Sequence, residues 1–131
     1  MSTPSIAVID TGSAYTRFGF AGDNAPRCTY STEVGRSGKH SGGQDPNKVY
    51  IAEELEQKRK ALHVNVPVRR GQIANYVDCY ELWAHGFQDE LRVDPGDCIV
   101  ITGMRPKHTA EERKELCETF FEKLQVKGFY S

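Results

Sequence analysis

The stretch Ile6-Ala-Val-Ile-Asp-Thr-Gly-Ser13 decides how this chain is read. Its apolar run from Ile6 to Ile9 is short and nearly continuous, which suits a buried central strand. Thr11-Gly12-Ser13 then breaks the run as a turn. From Tyr15 to Phe20 the residues alternate, with Thr16, Phe18 and Phe20 on one face and Tyr15, Arg17 and Gly19 on the other. The two runs predict a hairpin. An aspartate entering such a turn fits two unrelated chemistries. In an aspartic protease the carboxylate activates water. In a phosphate-clamping hairpin the Gly and Ser hold a nucleotide, and Asp10 acts through a metal ion.

Outward from the hairpin, Cys28 to Thr32 predicts a third strand after the turn Asn24-Ala-Pro-Arg27. Ser37 to Lys48 is rich in Gly, Ser and Pro and predicts a mobile loop. Ala52 to Lys60 predicts a short charged helix, with Glu54 and Lys58 one turn apart. Asn75 is placed to cap a helix over Tyr76 to Leu91, with Asp78 near its positive end. Tyr76, Tyr80, Trp83, Phe87 and Leu91 form an apolar stripe along it, expected to pack in the core. Pro95-Gly96 breaks the pattern, and Cys98 to Thr102 predicts a buried strand. Thr109 and Glu112 make a capping box for a helix with Leu116, Cys117, Phe120 and Leu124 on one face. Phe129-Tyr-Ser131 begins one more strand. The order is three strands, loop, helix, helix, strand, helix, strand, an α/β layout that starts with an antiparallel meander.

Composition narrows the function classes. The 131 residues carry a formal net charge of −1, which gives no basic footprint for nucleic acid and no pull toward an anionic membrane. No apolar run is long enough to cross a bilayer, and the first residues lack a signal peptide's basic start and apolar middle. Cys28, Cys79, Cys98 and Cys117 are widely spaced with no C-x-x-C pair, which reads as reduced thiols. A retroviral-type protease working as a homodimer suits the length, but "VITG" at Val100 to Gly103 matches its second motif only loosely. Two amphipathic helices also have no place in that nearly all-β fold.

The residues after the hairpin settle the matter. Gly19-Phe-Ala-Gly-Asp-Asn-Ala-Pro-Arg27 closely resembles the signature of actin and the actin-related proteins. Further matches follow in order: Val34-Gly-Arg36, the segment from Tyr50 to Leu62, and the long stretch from Val66 to Pro95. The resemblance runs from about Ile6 to Tyr130. It implies an actin-like ATPase (ribonuclease H-like) fold, first half only, with a mixed sheet flanked by helices. It further implies an incomplete first subdomain at 1–36 and 67–131, and a small second-subdomain-like insertion with its mobile loop at 37–66.

By that resemblance the hairpin turn is the family's first phosphate loop. The expected nucleotide-contacting set is Asp10, Thr11, Gly12, Ser13, Ala14, Tyr15 and Arg17. Gly12 permits close backbone approach, and turn N–H groups with the Ser13 hydroxyl suit an anion. Asp10 is implied to hold Mg²⁺ indirectly, through metal-bound water. Arg17 stands at the family's Lys position and Ala14 at a family Gly. No catalytic residue is assigned, because the glutamine that positions water lies past the family's equivalent of Ser131. ATP or ADP with Mg²⁺ is therefore expected only if another polypeptide or chain segment completes the cleft. Turnover by this chain alone is not expected, since phosphoryl transfer needs a complete positioning shell.

Two departures bear on partners. The loop from Ser37 to Lys48 holds no Val, Leu, Ile, Met or aromatic residue, so the apolar anchor of an actin-style homopolymer is absent. Arg70 stands where the family usually has His, and Gly103-Met-Arg105 departs from a family Thr-Glu-x-Pro run. The expectation is a structural, non-enzymatic subunit held by other proteins of a multi-subunit complex, in the cytoplasm and cytoskeleton, with a cilium or flagellum among its possible homes. The partner is expected on the face of the Ala110–Leu124 helix or the edge of the last strand. The alternative is the N-terminal portion of a full-length ATP-hydrolysing actin-related protein.

Overall fold

The computed structural model describes residues 3–38, 47–103 and 109–131. Most of the loop predicted from Ser37 to Lys48 lies outside them, as do Met104 and Arg105. The hairpin forms as β1 (Ser5–Thr11) and β2 (Tyr15–Phe20), followed by β3 (Cys28–Ser31). Next come β4 (Val34–Ser37), β5 (Val49–Tyr50), α1 (Ala52–Lys58), β6 (Leu62–Asn65), β7 (Val68–Arg69) and β8 (Gln72–Ile73). The second half holds α2 (Tyr76–His85), β9 (Cys98–Thr102), α3 (Ala110–Glu118) and β10 (Gly128–Tyr130).

The main sheet has the order β10-β9-β1-β2-β3. β1, β2 and β3 pair antiparallel, while β9 joins β1, and β10 joins β9, in parallel. This is the mixed sheet with a three-strand antiparallel start that the sequence predicts. A second sheet, β5-β4-β6, and the small hairpin β7-β8 stand beside it. The sequence did not reveal β4 to β8, because strands of two to four residues are too short for alternation to register.

Register assigns the core. Ala7, Ile9, Phe18, Cys98 and Val100 are buried on one face of the main sheet. The two long helices cover that face. Phe87 meets Phe18 edge-on at 5.3 Å, and Trp83 and Phe129 each lie 4.5 Å from Phe120 between ring centroids. The stripe on α2 is shifted from its sequence reading. Cys79, Leu82, Trp83 and Phe87 are buried, whereas Tyr76, Tyr80 and Leu91 are only half-buried.

Both long helices end in a wider turn. α2 runs into a π turn at Gly86–Leu91 and α3 into one at Thr119–Lys123. A π turn disturbs the i→i−4 ladder, and in each case a hydroxyl serves a carbonyl in the turn before it. The Tyr30 hydroxyl donates to the Leu82 carbonyl at 2.5 Å, and Thr119 Oγ1 donates to the Glu115 carbonyl at 2.9 Å. Gly86 opens the first π turn for a steric reason: a Cβ there would stand 2.4 Å from the Phe18 ring.

Caps follow the sequence. Asn75 Oδ1 accepts from the Asp78 N–H, and Thr109 Oγ1 from the Glu112 N–H. Asp78, expected as a dipole charge, does more. Its buried carboxylate pairs with the Arg36 guanidinium at 2.7 Å and accepts from Asn65 Nδ2 at 2.7 Å and Asn75 Nδ2 at 3.2 Å. It thus ties β4 and β6 of the small sheet to the start of α2. The i,i+4 pair expected on α1 does not form. Glu54 instead bonds Lys48 at 2.7 Å, and the Lys58 ammonium lies over the Tyr50 ring. Arg59, just past α1, forks onto both oxygens of Glu33 and holds that carboxyl below the usual range.

Candidate functional site

Strand pairing builds the hairpin turn. Asp10 sits directly across from Arg17, and Thr11 from Thr16. The Gly12 N–H donates to the Tyr15 carbonyl at 2.9 Å and closes the turn. A Cβ at Gly12 would come within 3.2 Å of that same carbonyl oxygen, so any side chain there crowds the closure. The Ala14 carbonyl accepts from the Thr32 N–H at 2.9 Å, which fastens the turn to the end of β3.

The polar side chains of the turn have distinct settings. Thr11 Oγ1 accepts from Trp83 Nε1 at 2.9 Å, so this hydroxyl anchors the turn to α2. Ser13 Oγ accepts from the Gly71 N–H at 3.2 Å. That bond leaves the Ser13 hydroxyl proton free to donate elsewhere. Asp10 and Arg17 form a 3.5 Å ion pair, and their side chains are 69% and 45% exposed. The Arg17 guanidinium also lies 5.9 Å from the centre of the exposed Tyr15 ring. An exposed pair of this kind is worth little to stability, so both groups are open to exchange partners.

Asp10 and Arg17 share a hollow of about 390 Å³ with Val8, Phe20 and the 21–26 turn. Thr102 lies at the same end of the sheet, beside Ile9 in the register. Its hydroxyl is buried with no hydrogen-bond partner among the described residues.

Tested against a phosphate and its metal, the set divides. Ser13 keeps a donor proton, Arg17 offers a guanidinium to an anion, and Asp10 offers an exposed carboxylate to metal-bound water. Thr11, Gly12, Ala14 and Tyr15 contribute hydrogen bonds or a ring that shape the turn itself. The fit is half a clamp. When bound, a nucleotide–Mg²⁺ pair would supply a transferable phosphoryl group, and these residues would only hold and orient it.

Gly71 and Trp83 were not legible as parts of this site. Trp83 reads as core from its spacing, and its indole N–H is invisible to periodicity. Gly71 had a signal in Arg70-Gly71, where both residues take left-handed backbone, with φ of 53° and 75°. That is the conformation of a tight two-residue hairpin turn.

Among the described residues the opposite face of the same sheet is partly open to solvent. Ile6, Val8 and Ile101 are 38–40% exposed and Tyr130 is 65% exposed. Val8 pairs with Ile101, and Ile101 with Tyr130, so these side chains adjoin on one surface. By contrast, Leu116, Phe120 and Leu124, the helix face expected to await a partner, are buried against the sheet.

Comparison with known proteins agrees with this architecture. The family model for actin matches residues 2–131. Actin-related protein 2 of Arabidopsis thaliana is 30% identical over 134 aligned residues, which cover 99% of this chain and 34% of the relative. Actin-related protein 2 of Oryza sativa, in both the indica and japonica subspecies, is 29% identical over the same span. The chain thus spans about a third of the length of the curated relatives it matches. With the mixed sheet, the hairpin turn and a family match from end to end, this chain belongs to the actin family.

Proposed function

We propose that the chain serves as an actin-like structural and interaction subunit of a larger cytoskeletal assembly, a ciliary axoneme being one candidate, without ATP turnover of its own. The partly open apolar face of Ile6, Val8, Ile101 and Tyr130 carries this reading. A sheet face of this kind favours association, and β10 at the sheet border adds unpaired backbone groups. The polar composition of the Ser37–Lys48 loop argues against an actin-style homopolymer and for unlike partners in the cytoplasm. We further propose that 37–66, which carries β5, α1 and β6, answers to the family's second subdomain beside a first subdomain at 1–36 and 67–131. Size-exclusion chromatography with light scattering tests the reading. A soluble monomer at micromolar concentration, with no partner required, overturns it.

A second reading rests on the coverage of the relatives: the chain as the N-terminal portion of an ATP-binding actin-related protein. Titration calorimetry separates the two. The first reading expects at most weak ATP binding by the isolated chain and no hydrolysis. If ATP does bind through the turn, Arg17→Ala lowers affinity several-fold, because a hydrogen bond to a charged group contributes about 1.5–3 kcal/mol. Asp10→Ala then weakens binding mainly when Mg²⁺ is present.

A further inference from the structure

The cavity between α1 and the end of α2 measures about 560 Å³ and holds a group that neither reading uses. His85 is the last residue of α2. Its Nδ1 lies 3.1 Å from an Asp89 oxygen and its Nε2 lies 2.9 Å from a Glu90 oxygen. Both carboxylates belong to the π turn Gly86–Leu91 that follows. The Tyr30 ring of β3 packs edge-on against the imidazole at 5.0 Å and limits its rotation.

Proton counting gives this geometry its meaning. An ionised carboxylate only accepts hydrogen bonds, and a neutral imidazole has a single N–H. Nε2 is hydrogen-bonded to Glu90 and Nδ1 lies within ion-pair distance of Asp89, so carboxylates close to both ring nitrogens favour the doubly protonated ring. The surroundings agree. Asp89 and Glu90 face the ring from its own turn, and Glu81 stands one turn earlier on α2. Glu53 and Glu54 face it across the cavity from α1, Glu54 being held by Lys48 at 2.7 Å, and among the described residues no Lys or Arg lines that cavity. From β3 come the Tyr30 ring and Cys28, whose thiol is pushed up by burial and then by the Glu90 charge. Among the described residues His85 is thus the cationic group that lines the cavity, beside four carboxylates and the Lys48-bound Glu54.

We propose that His85 is a pH-sensitive clasp on the π turn. With both ring protons it holds Asp89 and Glu90 together and fixes the turn that seats Phe87 against Phe18. When the ring gives one proton to water, the remaining N–H keeps one carboxylate. The other then faces a lone pair and is released. The turn loosens as pH rises through the range in which histidines change charge, between about pH 5 and 8.

Amide hydrogen exchange of the full chain, corrected for intrinsic rates, reads this directly. Protection of the Gly86–Leu91 amides is expected to fall several-fold from about pH 5 to about pH 8, in step with the His85 ring-proton shift seen by NMR. In His85→Gln that fall disappears. Glu90→Gln supplies a second test if His85→Gln does not fold. A Gln amide donates to the bare nitrogen of neutral imidazole, so both arms persist without the second proton and the profile flattens. A fall in either variant that matches the wild type, or ring and turn midpoints that differ in the wild type, overturns the proposal.

Discussion

The two faces of the main sheet are made by the same strands and share the same backbone hydrogen bonds, yet they have different jobs. On one, Ala7, Ile9, Phe18 and Val100 are sealed under two helices. On the other, Ile6, Val8 and Ile101 are apolar but open to solvent, beside the Asp10–Arg17 pair. Because strand side chains alternate, a step of one residue moves a group from core to surface. The comparison separates what holds this chain folded from what it offers to other molecules.

The largest effect is expected at the centre of the covered face. Phe120 is fully buried between Trp83 and Phe129, so Phe120→Ala should cost about 3–5 kcal/mol in urea unfolding. A loss below about 1 kcal/mol would mean that the helices do not seal this face as described. Next is Gly86→Ala, which drives a methyl into the Phe18 ring and should cost about 1–3 kcal/mol. A neutral result would show that Phe18 can move aside. The smallest effect on stability is expected on the open face. Val8→Thr and Ile101→Thr keep the β-branch and should each change stability by less than about 1 kcal/mol. Their readout is association: light scattering should show weaker binding to partners or to other copies. If they instead unfold the chain, the open face is a second core and the comparison fails.

Much of this was written in the sequence. The hairpin, β9, α2 and α3 follow from runs long enough to show a period, and both caps follow from side-chain chemistry at fixed offsets. Several features were not legible. β4 to β8 are too short to alternate. The π turns look identical to α-helix in composition, and the Phe18 ring that leaves no room for a side chain at Gly86, where the first begins, lies 68 positions away in the chain. The shift of the buried stripe on α2 has a similar origin: which aromatic is sealed depends on what β2 and α3 present to it. At the candidate site the resemblance supplied the residues. Which hydroxyls the fold already uses could not be read, because Trp83 and Gly71 reach the turn through tertiary contacts.

Asp78 has one more consequence. A buried carboxylate that loses its donors is left as an uncompensated charge, which costs several kcal/mol. Arg36 and Asn65 supply two of those donors from the small sheet, while Asp78 itself belongs to α2. The small sheet therefore cannot open first and leave the helix intact at low cost. Fraying of β4 and β6 and unwinding of the first turn of α2 become one cooperative event, so this lobe of the molecule opens together or not at all.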